Sequence, residues 1–437
     1  TGETYVPSVM PRALAVSADG ATLYVTGQRA GKLFAIDLAT RVVTSVVVGS
    51  EPIGVLVVGG SVYVACSQDN TVVRVDAASF TVTGRIGVAA EPWALAWNGR
   101  LLISHLLSPT ITVVDAATFA VETTWTVPPV AKRENDPRLP HGIPRGFYDL
   151  APRPGTAELW APHILLGTDT PQPTLDFETT VFPAISLVRS DGTYRRTLSV
   201  DVEDIARMDG SFGDVVSGPH AIAFTSDGAR ALIVDTNSED VLVVDARSEV
   251  ETELLRPLPG HMPEGIVIAP DDRVAYIDER NTHDVAIVKL DRGLRVDGTI
   301  ERLVKDPMPA ELRAGQHLFY SANSDEYPIT RNHWVACASC HIEGRSDAVT
   351  WVFAQGPRDT PSNAGGMFGT GFLFRTADRT RVEDYWQTVN LEQGGRFDPE
   401  AQAALLAPLA QYVDRGIPAP IPPTTNPILV ERGRALF

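Results

Sequence analysis

The chain has 437 residues, of which 44% are hydrophobic and 21% charged, and its formal net charge is −17. This length suits two or three domains, each with its own apolar core. The acidic excess argues against binding to nucleic acid, because contacts with a phosphate backbone require clustered Lys and Arg. The sequence contains no run of about 18 apolar residues, so we predict no membrane-spanning segment.

A repeat of about 40 to 45 residues runs through the N-terminal two thirds of the sequence. Each unit starts with Pro and an apolar strand, turns at Gly or Asp-Gly into a second strand, and often ends a third strand with Asp. A fourth, alternating strand follows. The units begin at Pro11, Pro52, Pro92, Pro219 and Pro263, and third strands end at Asp37, Asp76, Asp115 and Asp245. Four short antiparallel strands per unit of this length are typical of a β-propeller blade.

The sequence of these units resembles the YVTN family of β-propellers, as in Leu-Tyr-Val-Thr at 23–26 and Val-Tyr-Val-Ala at 62–65. The resemblance covers about residues 8–300. It implies the propeller fold but no particular function, since one fold hosts many functions.

The repeat loosens between residues 128 and 218, around insertions at 131–143 and 167–182 that are rich in Pro and Asp. Six units can be counted, and a seventh would have to come from these insertions, from residues 1–8 or from a preceding segment. We therefore predict an all-β propeller of six to seven four-stranded blades over residues 1–304.

Alignment of the units predicts that the ends of the second strands and the starts of the first strands share one face of the propeller. The second-strand residues are Gly27, Cys66, His105, His163, Asp235 and Asp278, and the same face collects Arg12, Arg145, His220, Glu264, His261 and Met262. Imidazole and carboxylate groups are ordinary metal ligands, so a metal site there is one interpretation. The sequence favours the simpler one, in which these polar groups hydrogen-bond nearby backbone.

Two of the three cysteines form the motif Cys337-Ala-Ser-Cys340-His341, which follows a change from strands to helix-like segments at about Lys305. Two thiols three residues apart on a helical turn reach the two vinyl groups of a haem, and the next His lies under the iron. The motif predicts one covalently attached haem c, with His341 as the proximal iron ligand. The third cysteine, Cys66, lies in an apolar segment typical of a buried free thiol.

Two other interpretations share part of this motif. A redox-active Cys-x-x-Cys pair requires a thioredoxin-like strand-to-helix setting, which the preceding all-β segment does not supply. A structural zinc site requires four ligands, usually in two spaced pairs, and the sequence has no second Cys pair. Both interpretations are therefore disfavoured.

The flanks of the motif resemble the haem domains of the di-haem cytochrome c peroxidase and MauG-like family. The matching segments are Arg313–Phe319, Glu343–Asp347 with Trp351, and Arg358–Pro361, within a resemblance that covers about residues 310–437. It implies an all-α, cytochrome c-like haem domain over residues 305–417.

Helices are predicted at 311–321, 379–391 and 399–415 of this domain. The resemblance implies that the first and last of them cross beside the haem. Gly315, Leu318 and Phe319 would then pack against Leu409, Tyr412 and Val413.

The last residues of the sequence restate the start of the haem domain. Gly433, Leu436 and Phe437 repeat the Gly-x-x-Leu-Phe spacing that begins at Gly315, after a Pro-rich stretch from Pro418. We expect residues 418–437 to be a linker and the opening helix of a second cytochrome c domain. On this expectation the natural polypeptide continues past Phe437, and a second haem would be bound by a part that this sequence does not encode.

The remaining haem contacts are open. Met367, in the Gly-rich segment 365–371, is the best candidate for the distal iron ligand, although it would serve equally as packing over the haem edge. Met308, Met262 or His261 would replace it if the propeller and haem domain dock tightly. The candidate partners of the haem propionates are Arg345, Trp351 and Arg358, which could equally be packing or surface residues.

These features predict a c-type cytochrome with a β-propeller, which transfers electrons through one haem to a redox partner protein or a larger redox complex. By resemblance, the enzymatic alternative is a haem peroxidase or MauG-like oxidase with a small-molecule substrate, which typically needs two haems. A third alternative is a structural or docking subunit of a redox assembly. Covalent haem attachment implies a periplasmic or extracellular location.

Overall fold

The computed structural model describes residues 4–132, 139–168, 179–199, 215–301, 305–323, 326–327, 333–353, 356–367, 371, 373, 379–392, 397–423 and 427–436. The chain forms two compact units. The first comprises Pro7–Trp125 with Ala419–Phe437, and the second comprises Thr1–Val6 with Thr126–Pro418.

Three four-stranded antiparallel sheets occupy the N-terminal part of the first unit, and in each the strands lie side by side in chain order. Their strands are β1 Pro11–Val16, β2 Thr22–Gly27, β3 Lys32–Asp37 and β4 Val43–Val47; β5 Pro52–Val58, β6 Ser61–Cys66, β7 Thr71–Asp76 and β8 Thr81–Gly87; and β9 Pro92–Trp97, β10 Leu101–His105, β11 Thr110–Asp115 and β12 Ala120–Thr126.

In four of the repeats the third strand ends in an Asp that closes the turn into the fourth strand. Asp37 accepts hydrogen bonds from the backbone N–H of Thr40 at 2.6 Å and from its hydroxyl at 2.8 Å. The same pair of bonds joins Asp76 to Ser79, Asp115 to Thr118 and Asp245 to Ser248. A carboxylate that bonds the backbone a few residues on stabilises a tight turn, and this explains the recurring Asp.

The second unit contains three further sheets, which include the irregular repeat. Their strands are β13 Ile143–Arg145, β14 Ala151–Pro152, β15 Glu158–Leu166, β16 Val181–Arg189 and β17 Tyr194–Ser199; β18 Pro219–Phe224, β19 Arg230–Asp235, β20 Asp240–Asp245 and β21 Val250–Leu255; and β22 Pro263–Ile268, β23 Val274–Glu279, β24 Asp284–Lys289 and β25 Arg295–Ile300. In the irregular sheet both β13 and β14 pair with β15, so one interrupted strand takes the place of the usual first strand.

The described residues therefore form six blades, and the fold class is an all-β propeller with six blades. Within the described ranges neither residues 4–8 nor the flanks of the insertions form a seventh. The centres of those insertions, 133–138 and 169–178, lie outside the described residues.

The helices of the described C-terminal residues are short. They are α1 Ala310–Tyr320, α2 Cys337–Cys340, α3 Trp386–Glu392, α4 Ala403–Arg415 and α5 Pro427–Leu436, and a hairpin of β26 Thr350–Phe353 and β27 Gly356–Asp359 lies between α2 and α3. Because this region is only partly helical, the expectation of an all-α domain is met only in part. None of these helices has the length and apolar character needed to cross a lipid bilayer.

Helices α1 and α4 of the second unit pack together, as the sequence predicts. The rings of Phe319 and Tyr412 lie 5.6 Å apart. Both belong to a cluster of buried side chains that also includes Ala410 and Val413. This cluster forms the apolar core beside α2.

Candidate functional site

The motif Cys337-Ala-Ser-Cys340-His341 forms a single helical turn, α2. The N–H of His341 donates to the carbonyl of Cys337 at 2.9 Å, which closes the turn, and the N–H of Ala336 donates to the hydroxyl of Ser339 at 3.2 Å. Because side chains three residues apart lie on the same face of a helix, both thiols face the same side of this turn.

The imidazole of His341 is held in one tautomer. Its Nδ1 lies 3.0 Å from the carbonyl oxygen of Pro361. A carbonyl only accepts, so Nδ1 carries the proton and the lone pair stays on Nε2. Burial lowers the pKa of His341 to about 4, against hydrogen bonds to Pro361 and Arg345 that raise it. The ring is therefore neutral near pH 7, as a metal ligand must be.

Both thiols of the motif are protonated near neutral pH. Burial raises the pKa of Cys337 to about 11. Burial, and then the neighbouring Asp347 and Cys337, also raise the pKa of Cys340. A catalytic dithiol needs a lowered thiol pKa, so this environment does not favour thiol–disulfide exchange.

Apolar side chains surround α2. Phe319 lies 6.2 Å from His341 between ring centroids. Met367, a candidate iron ligand, and Cys337 are both partly buried against the same apolar cluster. Met262, from the loop before β22, is 1% exposed in that cluster, so two of the methionines considered from the sequence contact it.

The three candidate propionate partners have contacts of their own within the chain. The indole N–H of Trp351 donates to Asp347 at 2.8 Å, and the guanidinium of Arg358 lies 5.8 Å from the ring centroid of Phe353. The backbone N–H of Arg345 donates to the carbonyl of Ile342 at 2.9 Å. The side chain of Arg145, on β13, donates to the backbone oxygens of Asp347 and Ala348, which fixes this loop to a blade.

Two of the histidines that the repeat placed on one propeller face, His105 and His163, are satisfied locally. In His105, Nδ1 donates to the carbonyl of Ala90 at 2.9 Å and Nε2 bonds the hydroxyl of Thr112 at 2.8 Å. In His163, Nδ1 donates to the carbonyl of Ile164 at 3.0 Å and Nε2 bonds the hydroxyl of Ser186 at 2.8 Å. Neither ring has a nitrogen left for a metal, which supports the simpler interpretation.

The sequence alignment of the repeats predicted that Asp235 and Asp278 end their second strands opposite the first Pro of the unit. The strand register confirms this for Asp235 but not for Asp278. Pro219 pairs with Asp235, as expected, but Pro263 pairs with Glu279 and not with Asp278. Side chains alternate across a strand, so Glu279 is buried while Asp278 is exposed. The alignment counted back from the Asp that ends the third strand, but the third strand of this unit ends in Lys289. Without that Asp as a reference the position was misplaced by one residue.

A cleft lies between α2 and the blades of the second unit. Ala338, Ser339 and Ile342 line one side, and Tyr148, His220 and Glu264 line the other. The ring of His220 stacks on Tyr148 at 4.2 Å, and Arg280 forms an ion pair with Glu264 at 2.8 Å. The ligand atoms of His220, Glu264 and Glu343 lie within 4.8 Å of one another.

A second polar cluster joins α1 to loops of the propeller, and sequence reasoning missed it as a site. It consists of Glu239, His261, His317 and Glu326, whose ligand atoms also lie within 4.8 Å of one another. Burial alone would raise the pKa of Glu239, but the adjacent imidazoles of His261 and His317 lower it to about 2. Glu239 is therefore ionised near neutral pH. The feature of the sequence that could have indicated this cluster is a His in a loop between blades, His261, together with a His on the helix that follows the blades, His317.

Comparisons with known proteins find solved structures that match this chain at low similarity. No family model matches it, and no curated protein matches it. Hydrazine synthase from Kuenenia stuttgartiensis has a TM-score of 0.46 and 14% identity, with 66% of this chain and 97% of that chain covered.

Two further structures match at a similar level. A functionally unknown protein from Desulfotomaculum acetoxidans DSM 771 has a TM-score of 0.46 and 13% identity, with 65% of this chain and 82% of that chain covered. Streptogramin B lyase has a TM-score of 0.46 and 12% identity, with coverage of 69% and 86%.

Proposed function

We propose that this chain is an extracytoplasmic c-type cytochrome with a β-propeller, which transfers electrons through one haem c attached to Cys337 and Cys340 and ligated by His341. The observation that carries the proposal is the hydrogen bond from Nδ1 of His341 to Pro361 at 3.0 Å. It leaves Nε2 as the ligand atom, and a hydrogen bond on the other ring nitrogen is what orients a ligating His.

The residues around α2 fit such a group. Two protonated thiols on one helical turn are the reactants for covalent attachment, and the cluster that includes Phe319 and Tyr412 supplies apolar walls. When bound, the haem supplies a one-electron couple. His341 would hold the iron through its neutral, oriented imidazole, the apolar side chains around it would limit the access of water, and the thioether of Met367 would serve as a second ligand.

A net charge of −17 favours a basic redox partner, because complementary charge speeds the encounter of two proteins. The propeller would then act as a docking platform or as part of a larger redox assembly.

The test is export of the full chain in a host that matures c-type cytochromes, followed by haem staining after denaturation and by intact mass. We expect wild type to carry one haem that resists denaturation. Cys337→Ala with Cys340→Ala should abolish the covalent haem. Cys66→Ala is the matched control, because Cys66 is a buried thiol outside the motif. A wild-type chain without covalent haem, or a double variant that retains it, would refute the proposal.

A second candidate is a peroxidase or oxidase, and the cleft beside α2 favours it. His220, Glu264 and Glu343 are groups that can hold or move protons, and they line the cleft together with Ala338, Ser339 and Ile342. Exposure of the haem-loaded protein to peroxide distinguishes the two functions. A spectrum that does not respond supports electron transfer alone, and a rapid response that is lost in His220→Gln supports the enzyme. A second haem held elsewhere in the natural polypeptide would also favour the enzyme.

A further inference from the structure

We propose that Glu239, His261, His317 and Glu326 form a binding site for a divalent transition metal ion of the zinc type, separate from the haem motif. Their ligand atoms, two imidazole nitrogens and two carboxylate oxygens, lie within 4.8 Å of one another. Zinc in proteins is bound by four such ligands in tetrahedral geometry. The proposal concerns the protein chain alone and does not depend on haem attachment.

The two histidines already point at one oxygen atom. Nε2 of His317 lies 2.7 Å from Oε1 of Glu239, and Nδ1 of His261 lies 3.3 Å from the same atom. The two rings stack with centroids 3.7 Å apart. Bonds of about 2.0 Å place tetrahedral ligands about 3.3 Å apart, so small side-chain rotations would bring these atoms around one ion.

A second observation concerns the ring nitrogens themselves. The buried Nδ1 of His261 points at Oε1 of Glu239 from 3.3 Å, and it has no partner in good hydrogen-bond geometry among the described residues. On the opposite side of His317, Nδ1 lies 3.1 Å from the hydroxyl of Tyr327. That contact is the one a ligating His makes with its other nitrogen, which fixes the ring and frees Nε2 for the metal.

The charge of the cluster also favours a cation. Among the described residues Glu239 faces only the imidazoles of His261 and His317 within ion-pair distance, and Glu326 adds a second carboxylate. With both imidazoles neutral the cluster carries two negative charges. A divalent ion would balance these two charges. Because two of the four ligands are imidazole nitrogens, the site suits zinc better than calcium or magnesium.

The position of the site indicates its role. Glu239 and His261 come from loops of the propeller, whereas His317 lies on α1 and Glu326 follows it. A four-ligand site leaves no open position for catalysis, which is the pattern of a structural zinc site. The ion would tie α1, which packs beside the Cys-x-x-Cys-His turn, to the blades of the same unit.

The test uses the purified full chain, treated with chelator and then titrated with Zn²⁺ against a chromophoric competitor. We expect one tight Zn²⁺ per chain and an upward shift of the thermal unfolding midpoint. Glu239→Gln and His261→Gln should each lower the Zn²⁺ affinity by about 100-fold or more, since even the loss of a residue that only orients a metal ligand costs about 10- to 100-fold.

His283→Gln is the matched control, because His283 lies 3.0 Å from Arg313 of α1 but outside the cluster. It should bind Zn²⁺ as wild type does. If the buried Glu239→Gln variant does not fold, the half-exposed His261→Gln variant decides the question alone. Failure of wild type to bind Zn²⁺ stoichiometrically would overturn the proposal. Unchanged affinity in His261→Gln, or loss of binding in His220→Gln instead, would overturn it as well.

Discussion

Gly315 of α1 lies so close to the carbonyl oxygen of Pro408 in α4 that a Cβ at position 315 would overlap that oxygen. The two helices can approach this closely only because Gly has no side chain. Gly315→Ala should therefore lower the free energy of unfolding by about 1 to 3 kcal/mol, the usual cost of overpacking. Denaturant unfolding followed by circular dichroism measures it.

Gly433 in α5 is the control for this prediction, because a Cβ there meets no atom within 4 Å. Gly433→Ala should leave stability unchanged or raise it by up to about 1 kcal/mol, since Ala favours helix over Gly. Equal effects of the two substitutions would contradict the close approach of α1 and α4.

Trp334, three residues before Cys337, is fixed to a blade through its indole. Its Nε1 donates to the carbonyl of Val181 at 2.7 Å, and the side chain is 2% exposed. Trp334→Phe keeps an aromatic ring but leaves the buried carbonyl of Val181 without its donor, which should cost about 1 to 3 kcal/mol. Trp97→Phe, at a residue that is 37% exposed, should cost less than about 0.5 kcal/mol in the same thermal unfolding assay.

Asp235 and Asp240 face each other across β19 and β20 and differ in their partners. Burial, and then the neighbouring Asp240, raise the pKa of Asp235. Asp240 forms an ion pair with Arg256, whose Nε donates to it at 2.8 Å.

Asp235→Asn should change stability near pH 7 by less than about 1 kcal/mol, because an amide resembles the neutral acid in size. Asp240→Asn leaves the charge of Arg256 unpaired and should cost about 3 to 5 kcal/mol. The comparison is made by denaturant unfolding, and a larger loss for Asp235→Asn would show that Asp235 is ionised.

His163 should make the stability of the protein depend on pH. Burial lowers its pKa to about 4, against a hydrogen bond to Ile164 that raises it. The unfolded chain, with a His pKa near 6.5, takes up a proton first as the pH falls. The stabilisation from this residue is therefore present above about pH 6.5 and lost by about pH 4, a change of about 3 kcal/mol.

In His163→Gln this part of the pH dependence should disappear. The test measures the free energy of unfolding of wild type and of His163→Gln from pH 7 to pH 4. Parallel curves for the two proteins would show that His163 does not cause this part of the pH dependence.

Met367 and Met262 contact the same apolar cluster, and on the proposed function they differ in what they do for the haem. Met367→Leu removes the thioether while nearly keeping its volume. If Met367 is the second axial ligand, the substitution should convert a low-spin haem spectrum to a high-spin one. Met262→Leu should leave the spectrum unchanged and cost less than about 1.5 kcal/mol of stability. The reverse result would assign the ligand to Met262.

The blades could be predicted from the sequence because each is a local unit. In four blades the Asp at the end of the third strand bonds a residue three positions later, and in the regular units the first Pro pairs with the end of the adjacent strand. Both relationships occur within one repeat, so they recur at a fixed spacing. The prediction of Asp278 was one residue off, because register depends on cross-strand pairing that no residue type marks uniquely.

The haem-type motif could also be recognised from five consecutive residues. The hydrogen bond that orients the imidazole of His341, from Nδ1 to the carbonyl of Pro361, joins residues twenty positions apart and depends on the path of the intervening hairpin. That hairpin, formed by β26 and β27, is where the structure departs from the expected all-α domain, and no helix was predicted there from the sequence. Met367, considered from the sequence as a ligand, lies beside the motif only because the chain folds back onto the α1 and α4 core.

The sequence by itself determined the order of strands within the regular blades, the Asp that recurs at the end of four third strands, and the Cys-x-x-Cys-His motif, because all of these depend on residues close together in the chain. It left the number of blades at six or seven, and the described residues form six. Only the tertiary structure showed that both ring nitrogens of His105 and of His163 form hydrogen bonds with nearby carbonyl and hydroxyl groups. It alone brought Glu239, His261, His317 and Glu326 together. Those four residues come from separate blade loops, a helix and the segment after it, and their proximity follows from packing and not from spacing.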